Sequence, residues 1–121
     1  MESNNSVVRL NFPIETKHTN IKNDSIDVNI ILPDESVYYV MLITPNFLQS
    51  IIEESLKSTG HYIADDVLVI DNLEMRNILQ SISEIIATDD WVDYFTRIGS
   101  VDEVFGTPPS FGEIVPLLIT K

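Results

Sequence analysis

The chain has 121 residues, 44% of them apolar, no cysteine, and 7 lysines and arginines against 19 aspartates and glutamates, for a formal charge of −12. That length suits one domain able to bury about two-thirds of its unfolded surface, and a mean hydropathy of +0.10 excludes a disordered acidic tail, which lacks the apolar surface to fold. The charge disfavours direct contact with nucleic-acid phosphates or anionic lipid, and the missing cysteine removes disulfides, thiolate nucleophiles and cysteine zinc sites.

Residues 1–5 are polar and read as a frayed, disordered end; Glu2 and the lack of an apolar leader fit an unexported, cytoplasmic protein. Ser6 to Phe12 reads as a strand stopped by Pro13, followed by a loop over 13–24. Ile26, Val28, Ile30 and Leu32 alternate with Asp27 and Asn29, the period of a strand with one buried face. Pro33-Asp34-Glu35 supplies a turn, and Ser36 to Ile43 resumes as a second strand, so the two should pair as an antiparallel hairpin. The longest apolar run, Val37 to Ile43, is seven residues, against the roughly 20 a membrane-spanning helix needs.

Thr44-Pro45 reads as a helix start, with Thr44 as the capping side chain. Phe47, Leu48, Ile51, Ile52 and Leu56 then form one apolar stripe, and Gly60 ends the helix. Val67 to Ile70 reads as a short buried strand. Asp71 or Asn72 should cap a second helix, the longest, over 72–87, with Leu73, Ile78, Leu79, Ile82, Ile85 and Ile86 inward. A third helix is expected over 90–98, with Gly99 as its stop, then a loop from Gly106 to Gly112 and an edge strand or extended segment over 113–120 containing Pro116. The fold class is α+β in a single domain: an antiparallel hairpin or meander followed by two to three helices around a small sheet.

The four glycines never form a nucleotide-binding loop, and the G-x-S-x-G elbow, H-E-x-x-H and the calcium loop are all missing. The expectation is therefore no catalytic residue, no metal and no cofactor. His18 and His61 lie far apart with no second ligand at metal spacing; His61, ahead of Asp65 and Asp66, reads mainly as a loop-edge residue. Asp89-Asp90-Trp91-Val92-Asp93 matches D-D-x-x-D, which on a helix would put Asp89 or Asp90 beside Asp93. Helix capping or a solvated face explains these acids better than magnesium binding.

The acidity is uneven. Residues 1–52 hold 3 bases and 6 acids, a net −3, while 53–121 hold 4 bases and 13 acids, a net −9. If the second-half acids share a face, that face attracts a basic partner and speeds its association; plain solubility is the competing explanation. Trp91 and Phe95 read as core and Tyr94 as surface, where a tyrosine among aspartates suits a cationic partner. The expected partner-binding residues are Asp65, Asp66, Asp89, Asp90, Asp93 and Tyr94.

Val104-Phe105-Gly106-Thr107-Pro108-Pro109-Ser110-Phe111 resembles the F-G-x-x-P-S-F/L segment of small immunity proteins from bacterial polymorphic-toxin and contact-dependent growth inhibition systems. The match covers eight residues and lies near the end of the chain rather than the start of the domain. The resemblance implies a non-enzymatic inhibitor that binds a cognate basic toxin domain, often a nuclease. Alternative readings are a phage-type nucleic-acid mimic, an adaptor protein, or a small hydrolase using carboxylates and a metal.

Overall fold

The computed structural model describes residues 6–120, so the expected frayed end at 1–5 lies outside the described residues. Strand β1 (Ser6–Phe12) pairs with β2 (Ser25–Ile31), and β2 pairs with β3 (Ser36–Ile43) in the expected antiparallel hairpin. The turn between them has three residues, Pro33, Asp34 and Glu35. Glu35 carries the positive φ of 70° that such a turn requires at its last position, and Leu32 N–H donates to Ser36 O across its base at 2.9 Å.

Helix α1 (Pro45–Thr59) crosses over to β4 (Val67–Val69), which lies parallel to β3 along residues 41–43. Helix α2 (Met75–Ala87) and a 3-10 turn at Trp91–Asp93 then lead to β5 (Thr96–Ser100), antiparallel to β3 along residues 36–39. After the short helix α3 (Val101–Phe105), β6 (Glu113–Ile119) returns beside β1. Among the described residues these strands make one mixed six-stranded sheet in the order β4-β3-β2-β1-β6, with β4 and β5 sharing a single edge of β3 end to end. The chain is α+β, as its periodicities require.

Alternation sends Val8, Leu10, Phe12, Val28, Ile30, Val40, Leu42 and Ile119 to one face, where Ile78, Ile82 and Ile86 of α2 cover them. Each such buried side chain contributes roughly 1.5–3 kcal/mol over an exposed one. The opposite face is covered in part by a smaller cluster, Ile31, Val37 and Val101, joined by Val104, Phe105, Phe111 and Ile114. The segment from Val104 to Phe111 therefore folds inward through its aromatics, with the Phe105 and Phe111 rings 4.8 Å apart and Arg9 5.3 Å over Phe111. Buried Asn29 donates from Nδ2 to Oδ1 of buried Asn11 at 2.9 Å, and Asn11 donates to the carbonyls of Phe111 and Glu113, which fastens the loop to the sheet.

Several sequence expectations are corrected. The helix expected over 90–98 is a 3-10 turn followed by strand β5, because Trp91 and Phe95 sit in the core while Thr96 to Ser100 find the open edge of β3. Gly99 is no helix stop. It sits at φ 147° beside a register shift in β5, and a Cβ there would lie 3.3 Å from both Glu103 Cβ and Val104 Cγ2, so a bare backbone lets α3 pack down. Residues 67–69 form an edge strand with Val69 46% exposed, where a buried strand was expected. Helix α2 starts at Met75 after Glu74, and Asn72 serves a turn instead, accepting from Glu74 N–H at 3.0 Å; the longest helix is α1, with 15 residues. Thr44 does not cap α1. Its hydroxyl is buried and bonded to the backbone of Asp24, tying the helix start to the start of β2. Pro116, by contrast, falls on an edge strand as expected.

Candidate functional site: the acidic edge of β3

Because β4 and β5 meet along one edge of β3, the segments before each strand are brought together. Asp66 stands at the junction with φ 58°, and its carbonyl accepts from Met41 N–H at 2.8 Å. Its carboxylate accepts from the Thr96 hydroxyl, at 3.0 and 2.9 Å to the two oxygens, which links residues 65–66 to the segment ending at Phe95. That second segment is held from inside. Trp91 meets Tyr38 edge-on at 4.9 Å and Phe95 at 6.1 Å, and both Trp91 and Phe95 are buried. With those rings inward, Asp89, Asp90, Asp93 and Tyr94 are left outward, Tyr94 at 66% exposure.

The expected partner-binding residues thus divide as follows. Asp65 is exposed ahead of β4, and Asp66 is half-buried and hydrogen-bonded. Asp90 and Asp93 bracket the 3-10 turn, Asp93 N–H donating to Asp90 O at 3.0 Å, so the D-D-x-x-D acids occupy a single tight turn in place of the expected α-helix. Among the described residues no group of three or more histidines, cysteines, aspartates or glutamates is placed to hold a metal ion. His61 is exposed, and its carbonyl accepts from the Ser55 and Thr59 hydroxyls at 2.6 and 3.1 Å, closing the end of α1.

Two neighbours of this edge escaped the sequence reading. Tyr39 donates from its hydroxyl to Asp27 Oδ1 at 2.6 Å. Burial first, then that hydrogen bond and the charges of Asp27 and Asp66, push the Tyr39 hydroxyl up to about 12. The signal was present in the turn: a three-residue connection fixes Asn29 opposite Tyr39 and leaves Asp27 on the diagonal. Thr96 was missed because it was expected in a helix.

Ion pairs among the described residues include Arg9–Glu35, Lys17–Glu15, Lys22–Asp71 and Arg76–Glu74, and none of these involves Asp65, Asp66, Asp90 or Asp93. Two open clefts flank the 13–24 loop instead, one of about 420 Å³ lined by Phe12, Thr16, Lys17 and Glu113, the other of about 310 Å³ lined by Ile14, Asp24 and Asp27. Among the described residues no helix is long and apolar enough to cross a membrane. No protein-family model, curated protein or solved structure matches the chain.

Proposed function

We propose that this chain is a non-catalytic inhibitor of the immunity or antitoxin kind, which binds and neutralises a basic protein domain, a nuclease toxin in the first instance, through residues 65–66 and 89–94. The observation that carries the reading is the Thr96–Asp66 hydrogen bond, which links two acidic segments on one edge. Exposed carboxylates gathered on one edge project a field that raises the encounter rate with a basic surface. Tyr94, exposed between Asp93 and that edge, adds a ring that stacks on guanidinium or ammonium groups.

The inhibitor is cytoplasmic under this reading, takes no cofactor, and turns over no nuclease, phosphatase or esterase substrate. Co-expression in bacteria with basic nuclease toxin domains tests it. Growth should be restored for a cognate toxin, and the restoration should be lost in the Asp90→Lys/Asp93→Lys variant. Turnover by the purified chain that disappears in the same variant would replace inhibition with hydrolysis.

A further inference from the structure

The crossover from β3 to β4 is less deeply covered than α2. No residue of 45–66 is buried, and none belongs to either apolar cluster, whereas α2 sends three isoleucines into the core. Even so, α1 carries a full apolar stripe. Phe47, Leu48, Ile51 and Ile52 are half-buried, Leu56 is 49% exposed, and Ile63 in the loop beyond is 84% exposed.

This is not a loose helix. Its start is tied down through buried Thr44 and the Asp24 backbone, and Leu48 N–H donates to Thr44 O at 3.0 Å. Its end is closed by Gly60 at φ 81° and by the Ser55 and Thr59 hydroxyls on His61 O. A helix fixed at both ends, with its stripe half-buried from Phe47 to Ile52 and open at Leu56, is preorganised for docking at that open end, since little conformational entropy is left to lose. Its charges select the occupant. Glu53 and Glu54 follow Ile52 directly, Asp65 and Asp66 end the crossover, and Lys57 is the lone base between them. A second copy of a chain at −12 would be repelled, and so would an anionic lipid surface.

We infer that the end of α1 and the loop after it form a docking arm, whose exposed apolar residues Leu56 and Ile63 lie in an apolar groove rimmed by basic residues on the protein partner. The inference rests on the proposed binding of a basic domain and adds a second, apolar contact to it. Helix-in-groove recognition supplies affinity through the stripe and orientation through the rim.

The full chain is titrated with a synthetic helical peptide of leucine and lysine, apolar on one face and ammonium-bordered, and with a scrambled isomer of equal charge. The patterned peptide should bind more tightly and slow amide exchange across 47–63. The charge-neutral Leu56→Gln/Ile63→Gln variant, which alters only exposed positions, should keep its thermal midpoint and weaken that binding roughly tenfold or more. Equal affinity for both peptides, or no loss in the variant, overturns the arm. So does a chain dimer that disappears in the variant, or protection of 47–63 by phosphatidylcholine vesicles in place of the peptide. Against a cognate basic domain the two readings separate: loss in Asp90→Lys/Asp93→Lys alone overturns the arm, and loss in Leu56→Gln/Ile63→Gln alone overturns the acidic edge.

Discussion

The Thr96 hydroxyl lies 3.0 and 2.9 Å from the two carboxylate oxygens of Asp66, thirty residues earlier in the chain. That contact is possible because β3 gives one edge to two short strands, so Asp66 and Thr96 meet where β4 and β5 abut. It also sets the charge distribution, since the acids on either side of it face outward while Trp91 and Phe95 face in.

Charge reversal should therefore depend on position. Asp90→Lys/Asp93→Lys and Asp71→Lys/Glu84→Lys change the net charge equally, and all four residues are exposed. For a basic partner domain the first pair should slow association at least tenfold more than the second, with the gap closing as salt rises past roughly 0.5 M. Stopped-flow association rates at several ionic strengths measure this. Identical losses from the two pairs would reduce the effect to overall charge. Asp71 and Glu84 have the exposed side chains of Lys22 and Gln80 among their partners, whereas Asp27 holds the Tyr39 hydroxyl and Asp34 accepts from Ser36 N–H in the hairpin turn.

Stability should change at both ends of the pH scale. The Tyr39 hydroxyl, raised to about 12 by burial and by Asp27 and Asp66, stabilises the fold in its protonated form. That contribution is complete below the ordinary tyrosine value of about 10 and disappears as pH rises through the raised one. Asp34 and Glu103 behave oppositely. Hydrogen bonds from Ser36 and Ser100 hold both below the usual carboxylate range, so what they contribute is lost as pH falls below about 4. Absorbance titration at alkaline pH should show a late component from Tyr39 that is absent in Tyr39→Phe. If the late component survives in that variant, the assignment is wrong.

Gly99→Ala tests the packing of α3 on β5. The positive φ of 147° strains any side chain, and the added methyl would lie 3.3 Å from Glu103 Cβ and Val104 Cγ2. A loss of about 1–3 kcal/mol is expected in urea unfolding. Gly60→Ala isolates the backbone component, because nothing lies within 4 Å of a Cβ there. A Gly99→Ala cost no greater than that of Gly60→Ala would show that α3 yields freely.

Much of this architecture was legible in the sequence, and the failures share a cause. Strand β1, the hairpin, and the burial of Trp91 and Phe95 follow from local periodicity and turn chemistry, which tertiary context did not override. Residues 96–100 were misread because Trp91, Tyr94, Phe95 and Ile98 fit a helical period, while the partner that makes them a strand, the free half of β3, is nearly sixty residues away. The stripe of helix α1 predicted a helix correctly, but no pattern along the chain reveals that Leu56, at its far end, stays 49% exposed. Proximity of Asp66 to Thr96 was likewise invisible, since it depends on β4 and β5 sharing an edge.

The buried amide pair offers the sharpest test of how the second face is held. Asn29 Nδ2 donates to Asn11 Oδ1, and Asn11 Nδ2 serves the carbonyls of Phe111 and Glu113, so Asn11 connects β2 to the loop that ends at β6. Replacing Asn11 by Leu strands the buried Asn29 amide and should cost about 1–3 kcal/mol, because an unpaired buried donor forfeits its hydration without return. Replacing both residues by Leu removes the orphan together with its partner, and the carbonyls of half-buried Phe111 and Glu113 can turn to water. The double variant should accordingly be more stable than the sum of the two single losses predicts, by at least about 0.5 kcal/mol in a double-mutant cycle. Strict additivity would mean that the two amides act independently, and that the aromatic contacts of Phe105 and Phe111 alone hold the loop in place.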